Sequence, residues 1–211
     1  MKKFELTNEF ITNMFGTKLF RIRALVEFGD VEAGELGGYV EKESNLGHDD
    51  NAWVYDNAWV YGNARVYGDA QVSGDARVYD NAWVYGDARV SGDARVYGNA
   101  RVYGNAWVYG NAWVYGNAWV YGNALVCSDE DYAYAHGFGS VNRTTTFFRL
   151  KDGGVGVRCG CFYGTLAQFR DKIRETHGET KKAQEYLMLA DLMELRFEED
   201  ENEVGNRKYV E

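Results

Sequence analysis

From Asn51 to Ser128 the apolar and polar positions repeat every six residues. The stretch is thirteen consecutive hexads without insertion, reading Asn or Asp, Ala, a variable residue, Val, Tyr or Ser, then Gly or Asp. Alanine fills its column from Ala52 to Ala124 and valine its own from Val54 to Val126. Two residues apart on an extended backbone, they share a face, and that face must be the inward one. The Gly/Asp and Asn/Asp pair between successive valines supplies residues that tolerate left-handed backbone, so each hexad predicts one strand and one corner. Heptads, pentapeptide solenoids and the calcium-binding nonapeptide have other periods or other glycine patterns. Period six predicts a left-handed parallel β-helix in which three sides close a triangular coil of eighteen residues. At a coil spacing of about 4.8 Å, thirteen hexads make a little over four coils, about 20 Å tall.

The variable column lies between two inward residues and so points outward. All six tryptophans fall in it, Trp53, Trp59, Trp83, Trp107, Trp113 and Trp119, with Arg65, Arg77, Arg89, Arg95, Arg101, Gln71 and Leu125 in the remaining places. Residues eighteen apart stack on one side. The first side carries Trp53, Gln71, Arg89, Trp107 and Leu125, the second Trp59, Arg77, Arg95 and Trp113, the third Arg65, Trp83, Arg101 and Trp119. Tyrosines run unbroken beside the second and third sides. On the first they give way to Ser73 and Ser91, which predicts a recess floored by Gln71 and Arg89 and bounded by Trp53 and Trp107. Trp, Tyr and Arg are the residue types of binding hot spots, yet stacked on one another they also stabilise coil on coil without binding anything. So much exposed aromatic area predicts a partner, whether another protein or a second copy in a dimer or trimer.

The flanks change pattern. Residues 1–46 read as short strands forming an N-terminal β cap. Phe20 and Ile22 are expected on one face of Lys18–Ala24, and Val40 and Leu46 as a weaker first turn of the prism that occupies 47–128. In 129–211 a hairpin is predicted from Thr144–Leu150 and Val155–Tyr163, with Cys159 and Cys161 buried on one strand face. Thr165 opens a helix to about His177 with a capping box to Gln168, and a second helix follows from about Thr180 to Phe197. An acidic tail, Glu198–Glu203, reads as solvated. The fold class is therefore mainly β: a hexapeptide β-helix with a β cap and an α+β module of hairpin and two helices.

Composition narrows the function. The 211 residues carry a net charge of −9, and none of the three segments is basic, which argues against phosphate-driven nucleic-acid binding. No apolar run has transmembrane length and no signal peptide follows Met1, so no membrane partner and a cytoplasmic location are expected. Three cysteines suit a reducing compartment better than a disulfide framework.

Catalytic and metal sites are not expected, nor is a cofactor. His48, His136 and His177 all lie outside the hexads, whereas the acyltransferases of this fold need a histidine beside an acyl-carrier groove. The paired zinc histidines of the γ-class carbonic anhydrases, five residues apart, have no counterpart. Cys159-Gly160-Cys161 is a C-x-C that reads as inert thiols. Asp69 above Asp87 and Asp75 above Asp93 stack carboxylates, but the neighbouring arginines offset their repulsion.

The hexads Gly-Asn-Ala-Arg-Val-Tyr and Gly-Asp-Ala-Arg-Val-Ser resemble those of hexapeptide-repeat proteins commonly labelled transferases, a label that follows the fold rather than a site. The flanks Leu19–Leu25, Gly29-Asp30-Val31, Gly34–Gly38, Val157–Phe162, Gly164-Thr165-Leu166 and Thr176-His177-Gly178 resemble those of a group of phage and prophage proteins over nearly the full length. That resemblance implies a protein that binds and inhibits or sequesters a host component, such as one of anti-phage defence. The expectation is a non-catalytic binder using the Trp/Tyr/Arg exterior. Two alternatives stay open: an acyltransferase-like enzyme assembled between subunits, and a sponge holding a small nucleotide or sugar at Arg89 and Trp107.

Overall fold

A computed structural model of the chain describes residues 2–139 and 142–198. The molecule is mainly β: a β-solenoid of about five turns with a C-terminal sheet and two helices. Strands β1 (Phe4–Thr12), β2 (Lys18–Ala24) and β3 (Leu36–Val40) come first, and each hexad then adds one short strand, from β4 (Trp53–Val54) to β16 (Leu125–Val126). Pairing is parallel and in register at eighteen residues, as in Trp53↔Gln71, Trp59↔Arg77 and Arg65↔Trp83. Three parallel stacks result, one per side of the coil. Every alanine and valine of the two inward columns is fully buried.

The corners show why glycine recurs. Gly68 has φ +73°, and a Cβ there would stand 2.8 Å from the backbone nitrogen of Gly86 one coil on. Left-handed backbone and close approach of the next coil together leave room only for hydrogen. Asp56 and Asp80 take the same corner at φ +52° and +59°. Their carboxylates accept the N–H of Gly74 and Gly98 in the next coil at 3.0 and 3.3 Å, a local hydrogen bond that offsets the strain.

Two inward positions precede the hexads. Val40 pairs with Val60, and Leu46 bridges to Val66. Together with the thirteen valines they complete five coils, with the extra residues taken up before Trp53. The N-terminal hairpin does more than close an end, because β1-β2-β3 continues the second side into a seven-stranded sheet. The alternation expected in β2 is broken. Leu19 and Ile22 are the buried pair and Phe20 is half-buried, and the β2–β3 register shifts between Arg21 and Arg23.

The same segment overturns the expectation for Trp53. It leaves its coil outward like its column mates but is fully buried. Phe4 and Phe28 meet it edge-on at 6.2 and 5.3 Å, and Gly37 passes so close that a Cβ would lie 2.7 Å from the indole. Lys3 is buried beside it, its ammonium donating to the carbonyls of Asp50 and Ala52 at 2.7 and 2.8 Å. Burial lowers the Lys3 pKa, and Asp50 opposes the shift.

Beyond Ser128 the expected hairpin is part of a four-stranded antiparallel sheet in chain order, β17 (Tyr132–Phe138), β18 (Arg143–Arg149), β19 (Val155–Cys159) and β20 (Phe162–Thr165). Gly160, at φ +59°, turns the chain within the stretch expected to be one strand. Cys159 and Cys161 therefore do not share a face: Cys159 is half-buried and Cys161 exposed. Helices α1 (Leu166–His177) and α2 (Lys181–Phe197) follow, opened by Thr165, with its capping box to Gln168, and by Thr180. Neighbouring residues of β18 face opposite ways. Phe148 joins the solenoid core at its open end, and Phe147 packs with Phe169, Tyr186 and the helices. The joint is pinned by a buried ion pair, Arg149 Nε to Asp131 Oδ1 at 3.3 Å. Most of the acidic tail, residues 199–203, lies outside the described residues.

Candidate functional site

The outward residues of the coils order themselves by chemistry. Tyr61, Tyr79, Tyr97 and Tyr115 stack along the second side with centroids 4.9 to 5.4 Å apart. Tyr67, Tyr85, Tyr103 and Tyr121 do the same along the third at 4.3 to 4.9 Å. Burial, followed by the neighbouring phenols, pushes the pKa of Tyr79 and of Tyr85 up to about 12. An amide ladder, Asn63 to Asn81 to Asn99 to Asn117, climbs beside the third side with each Nδ2 donating to the next Oδ1 at 3.1 to 3.3 Å.

Guanidinium groups lie over indoles on all three sides. On the second, Arg77 covers Trp59 at 4.3 Å and Arg95 covers Trp113 at 4.7 Å. On the first, Arg89 lies 5.3 Å from Trp107, and Lys151 of the C-terminal module sits over the same ring at 4.1 Å. The third side alternates fully. Arg65 faces Trp83, Arg101 stands 4.8 Å from both Trp83 and Trp119, and Arg158 from β19 takes the next rung at 5.2 Å. A residue from another element thus completes the column the hexads began. Among the described residues, none of these five hexad arginines has a carboxylate within ion-pair distance. Of the eight described arginines outside the hexads, Arg21, Arg23, Arg149, Arg170 and Arg174 do, and Arg143, Arg158 and Arg196 do not.

The recess expected on the first side is only partly assembled. Gln71, Arg89 and Trp107 are adjacent in register, with Ser73 and Ser91 beside them. Trp53 does not form its wall, being sealed beneath the N-terminal segment, and Lys151 closes the Trp107 end while donating to Asn105 O at 3.0 Å. Burial, then the charge of Arg89, lowers the Lys151 pKa.

Two cavities flank the third side. The lower, about 380 Å³, is lined by Ser44, Leu46, Arg65, Tyr67 and Trp83. The upper, about 480 Å³, lies between the solenoid and the C-terminal sheet, where Arg101, Trp119, His136, Arg143 and Arg158 converge. The hexads suggest Arg101 but not Arg143, Arg158 or His136. Their convergence depends on how the sheet folds back over the third side, and only the cross-strand pairs His136↔Thr144 and Thr146↔Arg158 reveal it. His136 Nδ1 is 2.9 Å from Thr144 Oγ1. The other histidines are packed elsewhere, His48 stacked on Phe4 at 4.3 Å and His177 on Tyr186 at 6.1 Å. Among the described residues no group of three or more His, Cys, Asp or Glu side chains could hold a metal ion. Asp69 accepts from Asn51 Nδ2 at 2.7 Å.

This architecture defines the class: the chain is a β-solenoid repeat protein. Residues 58–74, 70–86, 82–97, 94–110 and 108–122 match the YdcK beta solenoid repeat, all inside the hexads. No curated protein matches the chain.

Proposed function

We propose that this is a non-catalytic binding protein whose rigid solenoid presents arginine and indole to a protein partner through its second side. The observation that carries this reading is the set of hexad arginines laid over tryptophans with no carboxylate partner among the described residues. Stacking fixes the plane of each guanidinium while its N–H edges stay free to donate, which suits recognition of carboxylates and carbonyls on another surface. The second side is the broadest, seven strands and about 30 Å across at the usual strand spacing. Its Trp113 and Tyr115 are each 40% exposed. The partner is a host component if the phage kinship suggested by the flanks holds, and the cytoplasm is then the place of action.

The test is capture of partners by tagged protein from host cells, with sizing of the complex. Trp59→Ala/Trp113→Ala is expected to abolish capture with an unchanged circular dichroism spectrum. Alanine at His48, His136 and His177 is expected to leave it intact. A folded triple-histidine variant that lost capture, beside a tryptophan variant that kept it, would overturn the reading in favour of histidine chemistry.

A further inference from the structure

The geometry points to the upper cavity of the third side as a binding site for a small phosphate-bearing molecule, a phosphate monoester on a compact polar body. The inference rests on reading the protein as a binder but uses a different surface from the protein partner.

Among the described residues three guanidinium groups line this cavity and no carboxylate does, in a chain of net charge −9. Among the described residues none of the three is ion-paired. Arg101 and Arg158 are nevertheless held by protein groups, and Arg143 lines the same cavity. Arg101 is sandwiched between Trp83 and Trp119, and its in-plane N–H groups have no acceptor among the described residues. Arg158 is fixed by Nε donating to Tyr103 Oη at 3.1 Å and Nη1 donating to Phe162 O at 3.0 Å, which leaves Nη2. Arg143 lies directly against the Gly160 turn, where an added Cβ would collide with its guanidinium. Three like charges held side by side repel one another, and a dianion between them reverses the sign of that interaction. Planar guanidinium forks match phosphate oxygens in pairs, whereas ammonium groups would meet them as point charges.

The volume and the ring geometry narrow the ligand. A cavity of about 480 Å³ exceeds what inorganic phosphate alone fills and suits a small organic phosphate. Trp119 has guanidinium groups near it from both Arg101 and Arg158, so charge rather than ring stacking is the recognition the site offers. Asn117 and His136 in the lining add groups able to bond hydroxyls of the organic part.

Calorimetric titration of the full chain with ribose 5-phosphate, inorganic phosphate and ribose tests the assignment. Saturable binding of ribose 5-phosphate is expected, with weaker binding of inorganic phosphate, none of ribose, and an affinity that falls as salt rises. Arg143→Ala, which removes no side-chain hydrogen bond among the described residues, and Arg101→Gln are each expected to weaken binding at least about tenfold, the order of one charge-assisted hydrogen-bond pair. Gly160→Ala, which displaces the Arg143 guanidinium, should weaken it while the protein stays folded, and Arg77→Ala on the second side should leave it unchanged. Ribose binding as well as its phosphate, no saturable binding of either phosphate, or binding indifferent to both Arg143→Ala and Arg101→Gln would each overturn the proposal. Partner capture through Trp59 and Trp113 is read separately, so the loss of one conclusion does not carry the other with it.

Discussion

Trp53 and Trp113 fill the same column of the repeat, yet one is fully buried and the other 40% exposed. The difference comes from what lies beyond the coil, because Phe4, Phe28 and Gly37 close over Trp53. Truncating a buried indole leaves a cavity as well as lost apolar contact, so Trp53→Ala should cost about 3–5 kcal/mol. Trp113→Ala forfeits little more than its contact with Arg95 and should cost under about 1 kcal/mol. Urea denaturation of the two variants checks the pair, and equal costs would mean that the N-terminal segment does not cover Trp53. Direction relative to the coil was legible in the sequence because it follows from a two-residue period. Coverage was not, because it depends on an aperiodic segment that begins about fifty residues before Trp53. The same limit hid the upper cavity, where Arg143 and Arg158 meet Arg101 only after three separate elements have packed.

Among the elements, the tyrosine stacks respond to pH in a way isolated phenols do not. Tyr79 and Tyr85 are held up to about 12 by burial and by the phenols above and below, against an ordinary value of 10.0 in the unfolded chain. Tyr61, Tyr67 and Tyr97 are raised as well, again chiefly by burial. A raised acid pKa means that the fold favours the neutral phenol, so this stability is complete below pH 10. It drains away as the pH climbs from 10 towards 12, when the unfolded chain ionises first. Tyrosinate absorbance and the β-sheet circular dichroism signal should therefore change together in one steep step above pH 10. Phenols that ionise near pH 10 with the dichroism untouched would show that the stacks are loose. The stacks were readable from an eighteen-residue spacing, the first helix from its capping box and the second from its apolar stripe. The misreading at Cys159-Gly160-Cys161 has a clear cause. Alternating apolar residues continue straight through a glycine whose positive φ turns the chain, and alternation alone cannot distinguish one long strand from two short ones joined by a tight turn.

For the whole molecule, the repeat makes length a variable that can be changed in units. Each coil touches only the coils above and below, so stability is close to a sum over coils and their interfaces, with the ends closed by the N-terminal hairpin and by Phe148 of the C-terminal sheet. Removing residues 87–104 excises one full turn. It leaves every alanine and valine inward, both ends closed, and Arg77 between Trp59 and Trp113 on the second side. That variant should fold cooperatively with a modestly lower melting temperature, the loss of one interface. Removing only residues 87–89 deletes half a side and its place in the inward columns. The coils above it then cannot place their valines inward and their glycines at corners at the same time, and the variant should lose its cooperative transition. Thermal melts followed by far-ultraviolet circular dichroism distinguish the two. If the three-residue deletion proved the milder, the stability of the molecule could not reside in the three-sided, eighteen-residue register, and the guanidinium–indole columns that depend on that register would lose their structural basis.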